Sequence, residues 1–312
     1  FRSAMDFVVV TASTPPQAES YRALVGARVA SGVYPSRIKF RFYCDPPGGR
    51  VGSGGGTVLA LAELLAEEAR DGDGQRPAMV GHRAAAAFFA ARRTLVVHAG
   101  GESRRLPCYV PEGKLFAPLL LACAAAEPPT VLDVLLTLYT SYPWSEGETI
   151  VCSGDVIVHF DVRRALPADG FRRGDVLGFG VAAPLEQGSR HGVFGCAGVG
   201  VSDSPAAADG PPAGIATAAT RPSSAAAAGP PISGQAAVLP VAEFFQKAPV
   251  ETLRARAALP RASILDASIP GAPLPGAPIP GAPIPGGEVC AVDTGIFSLS
   301  PRAVCALLGW AT

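Results

Sequence analysis

Apolar and polar positions along the chain fall into short blocks whose period switches between strand-like and helix-like. Residues 6–11 form a compact β-branched run, and the more polar residues 16–30 have helical spacing, so together they predict a strand and then a helix. Residues 50–57 hold a dense glycine cluster that predicts a tight turn opening into the alanine- and leucine-rich helix 58–69. The same order recurs downstream: residues 94–98 predict a short buried strand, 99–105 a glycine-bearing loop, and a proline-broken segment leads on to Leu119. Residues 130–142 carry a helical apolar pattern, 149–152 and 176–181 predict strands, 241–256 a helix, and 288–298 a strand returning to the sheet. Alternating strand and helix signals imply an α/β fold with a mostly parallel open sheet, and two glycine loops ahead of helical segments make it a nucleotide-binding one.

Two stretches break this pattern. Residues 197–237 are almost entirely Ala, Gly, Pro and Ser, and within 260–288 a Pro-Gly-Ala-Pro-(Leu/Ile) unit repeats three times. Such sequence buries too little apolar surface to offset the entropy of ordering, so both are expected to be insertions in a domain that otherwise occupies residues 1–312. The 36 glycines and 31 prolines also temper the 48% hydrophobic content, because much of that content is alanine.

Formal net charge is zero, so no global field favours nucleic acid or an anionic membrane, and a phosphate ligand needs a local basic cluster. Seven scattered cysteines without CxxC spacing predict reduced thiols in the cytoplasm. No apolar run approaches the roughly 20 residues of a membrane span, and the first residues lack the form of a signal peptide. A start at Phe1 and an end at Thr312, just past an apolar stretch, raise the expectation that this is a piece of a longer chain.

The densest chemistry lies in HAGGESRRLP (98–107) followed by PEGKLFAP (111–118). Glycines after a strand permit close approach of backbone to a nucleotide, paired arginines offer forked donors to phosphate, and Lys114 adds a movable charge. Asp155 follows a predicted strand, at the sheet edge where open α/β folds bind ligands. Read alone, Asp155 and Asp293 serve equally well as turn or capping residues. The cluster at Gly52-Ser-Gly-Gly-Gly-Thr57 is not a Walker loop, because the Gly-Lys-Ser/Thr ending is missing. His82 and His159 have no clustered partners in sequence.

These residues resemble the signature segment of sugar-1-phosphate nucleotidyltransferases, in the version found in bifunctional L-fucokinase/GDP-L-fucose pyrophosphorylases. Gly52–Thr57, Ser153-Gly-Asp155, His191-Gly-Val-Phe194, Phe245-Gln-Lys247 with Pro249-Val-Glu251, and Val292-Asp-Thr-Gly-Ile-Phe297 follow in the order of that family. The resemblance implies a Rossmann-like nucleotide-diphospho-sugar transferase fold and formation of GDP-L-fucose from GTP and L-fucose-1-phosphate. It implies that Ala99, Gly100, Gly101, Gly54 and Gly55 contact the nucleotide, that Arg104, Arg105 and Lys114 hold its phosphates, and that Asp155 and Asp293 bind Mg²⁺. Lys247, His191 and Gly192 fall at the sugar-phosphate positions, although Ala248 separates Lys247 from Pro249 where the family writes Lys-Pro directly. It further implies a parent protein with a β-helical connector and a kinase domain, neither of which this sequence resembles. Alternatives are transfer to another sugar-1-phosphate, or a non-catalytic nucleotide-sensing domain of the same fold.

Overall fold

A computed structural model of the protein describes residues 5–69, 81–99, 107–109, 113–120, 128–142, 144–158, 176–196, 239–259 and 288–309. Gly100, Gly101, Arg104 and Arg105 lie outside the described residues, as do both predicted insertions apart from residue 288. In chain order the elements are β1 (Phe7–Ala12), α1 (Pro15–Ala30), β2 (Lys39–Cys44), α2 (Gly52–Glu68), α3 (His82–Ala90), β3 (Thr94–His98), α4 (Val131–Ser141) and β4 (Thr149–Ser153). They continue with β5 (Val176–Pro184), α5 (Leu185–Gly188), β6 (Gly192–Cys196), β7 (Val241–Gln246), α6 (Val250–Arg256), β8 (Val289–Leu299) and α7 (Pro301–Gly309). The chain divides into two compact units, the first comprising Phe1–Val162, Phe171–Phe179 and Thr294–Thr312, the second Arg163–Gly170 and Gly180–Asp293.

In the first unit, β2, β1, β3 and β4 lie side by side in that order and all run parallel. The last residues of β8 add to β4 in the antiparallel sense, from Thr149 opposite Leu299 to Val151 opposite Phe297. β1 and β3 are continuous apolar runs, as central parallel strands covered on both faces require. Phe7, Val9 and Val96 pack against Leu61, Leu64 and Leu65 of α2, Phe89 of α3 and Val304 of α7, while Val8, Val10, Leu95 and Val97 alternate to the opposite face and are fully buried too. From β1 the chain steps to β2 on one side and then returns to β3 on the other. Right-handed crossovers therefore put α1 on the opposite face from α2 and α3.

α4 begins with a capping box in which Thr130 accepts from the Asp133 backbone N–H and the Asp133 carboxylate accepts from the Thr130 backbone N–H. The same carboxylate accepts from Tyr34 Oη (2.6 Å) and Arg28 Nη1 (3.1 Å), which fastens α4 to the end of α1.

In the second unit, β6 pairs antiparallel with β7 and with the first residues of β8, around a small core that includes Leu185, Val193, Leu253, Cys290 and Val292. Gly188 has no room for a side chain, since a Cβ there would stand 2.4 Å from Cys290 Sγ.

Two expectations are corrected. The glycine cluster is not a turn before a helix: α2 already begins at Gly52, and Gly54 and Gly55 occupy its first turns. Each helical glycine costs about 1 kcal/mol against alanine, but burial of Leu61, Leu64 and Leu65, at about 1.5–3 kcal/mol each, carries the helix through. Residues 241–256 are likewise not one helix. Val241–Gln246 form β7, where Phe245 turns toward the core and Phe244 is half exposed, and Lys247 with Pro249 separates it from α6. The sheet strands expected to be mostly parallel are so in the first unit, whereas β6, β7 and β8 pair antiparallel.

Candidate active site

The order in which strands are added reverses at β1, to β2 on one side and then β3 on the other, and this places a crevice at the carboxyl ends of β1 and β3, where open α/β sheets hold ligands. The described candidates of the first unit gather along that edge. His98 ends β3 and Ala99 follows it; Asp155 lies two residues beyond β4; and the start of α2 approaches from the side, with Gly56 placed so that a Cβ would lie 3.5 Å from His98 Cε1. Gly54 and Gly55 are exposed on the first turns of α2, whose N-terminus has no side-chain cap. The Gly54 N–H, in that first turn, therefore has no intrahelical acceptor and is open to an anion.

His98 is the fixed point of this edge. Its Nε2 lies 2.8 Å from Thr57 Oγ1 and its Nδ1 3.2 Å from Thr11 Oγ1. Thr57 donates its hydroxyl proton to the Ser53 carbonyl (3.0 Å), so it accepts from the ring. That sets the proton on Nε2 and leaves Nδ1 to accept from Thr11. Burial holds the imidazole below its ordinary titration range against the opposing pull of Asp45, so the ring is neutral. The His98 carbonyl accepts from the Gly154 N–H at 2.8 Å, tying the end of β3 to the Asp155 turn. The sequence shows His98 only as the first residue of the HAGGESRRLP motif and gives it no role; its signal is a polar residue closing an otherwise apolar strand.

Lys114 stands in a 3₁₀ turn, Lys114–Phe116, anchored by the buried Leu115 and Phe116. Its Nζ lies 3.3 Å from Asp155 Oδ2, and Asp155 Oδ1 accepts from Ser153 Oγ at 2.6 Å. The Ser153 hydroxyl foremost, and Lys114 after it, outweigh partial burial and hold the Asp155 carboxyl below the usual aspartate range. Side-chain exposures of 39% and 53% make the Lys114–Asp155 pair worth no more than about 1 kcal/mol. A phosphate ligand can thus separate them at small cost. An ionised, half-exposed carboxylate is a hard oxygen donor that suits Mg²⁺, which binds through one or two carboxylates and shares its remaining positions with water and phosphate. Among the described residues, no three His, Cys, Asp or Glu side chains converge to form a protein-only metal cage.

The second unit assembles the other set of candidates. Gly192 opens β6 opposite Gln246, and the Lys247 N–H donates to the His191 carbonyl at 3.0 Å, so His191 and Lys247 stand together where β6 begins and β7 ends. Lys247 adopts φ 50°, and among the described residues it alone of the non-glycines is left-handed. Such backbone strain at a lysine concentrates at functional positions. A Cβ at Gly192 would meet Phe244 Cζ at 2.6 Å and Asp293 Cβ at 3.2 Å, so the absence of a side chain lets Asp293 sit against the same strand end. Neither the strain at Lys247 nor the placement of Asp293 is visible in residue type.

Residues 87–312 match the family described as the fucose pyrophosphorylase domain, more than two thirds of the chain. The chain belongs to the fucose pyrophosphorylase family. It is 33% identical over 180 residues to the bifunctional fucokinase/GDP-fucose pyrophosphorylase of Arabidopsis thaliana, covering 53% of this chain and 16% of that protein. Over 194 residues it is 27% identical to the human fucose-1-phosphate guanylyltransferase, covering 61% of this chain and 28% of that one. With the L-fucokinase/L-fucose-1-P guanylyltransferase of Bacteroides fragilis it shares 31% identity over 156 residues, 48% of this chain and 15% of the relative. The fucose pyrophosphorylase relatives are thus much longer than the stretch this chain spans. No solved structure matches the chain. The fucose pyrophosphorylase match takes in β3, the Lys114 turn, the Asp155 turn and all four candidates of the second unit.

Proposed function

We propose that the chain acts as a fucose-1-phosphate guanylyltransferase, joining GTP and L-fucose-1-phosphate into GDP-L-fucose with release of pyrophosphate, on a Rossmann-like nucleotide-diphospho-sugar transferase fold. The observation that carries this reading is the joint placement of Ala99, Lys114 and Asp155 at the carboxyl edge of a parallel sheet, beside its topological switch point, in a chain matched by this family over residues 87–312. First-unit residues Ala99, Gly54, Gly55 and Lys114 would meet the nucleotide, together with Gly100, Gly101, Arg104 and Arg105. Second-unit residues Lys247, His191 and Gly192 would meet the sugar phosphate.

In this reaction a phosphate oxygen of fucose-1-phosphate attacks the α-phosphorus of GTP in line, and the α–β bridging bond breaks to free pyrophosphate. A phosphomonoester with a second pKa of about 6 is already largely dianionic at neutral pH, so no general base is needed. The protein's task is to hold two anions in contact. Lys114 and the paired arginines would neutralise the nucleotide phosphates and Lys247 the sugar phosphate, which lowers the barrier by positioning and charge. Asp155 would hold Mg²⁺, whose contribution is further charge neutralisation on the phosphate oxygens. All six described cysteines are free thiols, which supports the cytoplasm as the compartment.

Pyrophosphate release by the purified chain, with Mg²⁺ and fucose-1-phosphate and with GTP, ATP or UTP in turn, tests the reading. GTP-selective release is expected. Faster release with another nucleotide would keep the reaction class and overturn the substrate, and no release from a folded chain would overturn both.

A further inference from the structure

Tyr21 lies in the middle of α1 and is fully buried, yet its hydroxyl is aimed away from the helix and at the two ends of the segment that carries the nucleotide-binding candidates. At one end the hydroxyl donates to the Ala99 carbonyl at 3.3 Å. At the other end it abuts Gly113, where a Cβ would fall 2.2 Å from the hydroxyl oxygen and 3.1 Å from Cζ. Gly113 itself has φ 66°, the left-handed region that glycine takes without strain. The ring of Tyr21 packs on Phe116 with centroids 5.2 Å apart, and Phe116 closes the turn that begins at Lys114. One buried phenol therefore touches the residue after β3, the residue before Lys114 and the far side of the Lys114 turn.

We infer that Tyr21 is a positioning residue: its hydroxyl sets the spacing between Ala99 and Gly113, and so fixes where Lys114 stands relative to the Asp155 turn. Geometry favours this over simple core packing. Phenylalanine would fill the same ring volume beside Phe116, and a buried hydroxyl requires a partner that a purely apolar core does not. Here the partner is the backbone at the threshold of the site, and the hydroxyl's other side is closed by a glycine that tolerates no side chain. No element of the reaction proposed above requires Tyr21 to touch substrate. The inference rests on that reading for its consequence, though not for its geometry.

The test compares Tyr21→Phe with the unaltered 312-residue chain by two readouts. The first is equilibrium binding of GTP with Mg²⁺, together with the split between KM and kcat in the transferase assay. Loss of the hydroxyl should weaken GTP binding and raise its KM about 3- to 10-fold, the usual worth of one hydrogen bond, while KM for fucose-1-phosphate stays unchanged. A structural role alone would lower the active fraction and leave both KM values where they were. The second readout is amide exchange across residues 113–118, compared at equal global stability, where faster exchange is expected in Tyr21→Phe. Unchanged GTP affinity with unchanged exchange would overturn the inference. If the unaltered chain binds no nucleotide, the transferase reading fails and the exchange result alone decides the positioning role.

Discussion

At the scale of single residues, charge and backbone strain mark the chemistry better than burial does. Asp155 keeps its charge because Ser153 and Lys114 favour the ionised form, and Lys114 can leave the pair cheaply because both side chains are wet. Asp155→Ala should reduce turnover about 100-fold or more, and Lys114→Ala comparably, since in the proposed reaction each removes a group that offsets phosphate charge, directly or through Mg²⁺; steady-state kinetics on variants with unaltered melting temperatures would check this. Lys247 makes a different prediction, because its φ of 50° is one that glycine adopts freely. Lys247→Gly should leave the melting temperature unchanged or raised, as relief of left-handed strain of about 1 kcal/mol offsets glycine's entropy. The same variant should raise KM for fucose-1-phosphate at least tenfold. A fall in stability with an unchanged KM would make Lys247 a structural residue.

Elements act here by bringing their ends to one edge. Gly154 joins β4 to the Asp155 turn, and a Cβ there would lie 2.8 Å from the His98 carbonyl oxygen and 3.3 Å from Leu115 Cδ1. Backbone on one side and a buried leucine on the other leave no room to yield. Gly154→Ala should cost about 1–3 kcal/mol in denaturant unfolding and displace Asp155, so activity should fall further than stability alone explains. The His98 pin between β1, β3 and α2 supplies a pH signature. Its pKa is lowered on folding, so the unfolded chain binds the extra proton more readily. The stability His98 contributes is then complete above the ordinary histidine value of about 6.5 and is lost as pH falls from there through the lower folded value. Unfolding free energies measured above and below that range should fall toward acid more steeply for the unaltered chain than for His98→Gln. Parallel slopes would contradict the pin.

Across the whole molecule, what was legible followed from physics that acts locally. The strands β1, β3 and β4 announced themselves because buried parallel strands are short apolar runs rich in β-branched residues, and α4 because its apolar residues recur at helical spacing. What misled was long-range. The glycines of α2 have turn propensity, and only Leu61, Leu64 and Leu65 packing on a distant strand face make them helical. Val241–Gln246 looks helical until β6 is there to pair with it. The candidate residues were legible as residue types (Lys114 and Asp155 in the first unit, Lys247 and Asp293 in the second), whereas the neighbours of the first pair were not: Tyr21 reads as one aromatic in a polar helix, and His98 as the end of a strand. The family match over residues 87–312 supports the proposed sugar-nucleotide synthesis.

Mass spectrometry of the products formed from GTP and L-fucose-1-phosphate tests that conclusion most directly, because it identifies which phosphorus was attacked. The proposed reaction predicts GDP-L-fucose and pyrophosphate in equal amounts, with both formed about 100-fold or more slowly by Asp155→Ala. GDP with orthophosphate, or a folded and nucleotide-bound chain that makes no sugar nucleotide, would contradict it.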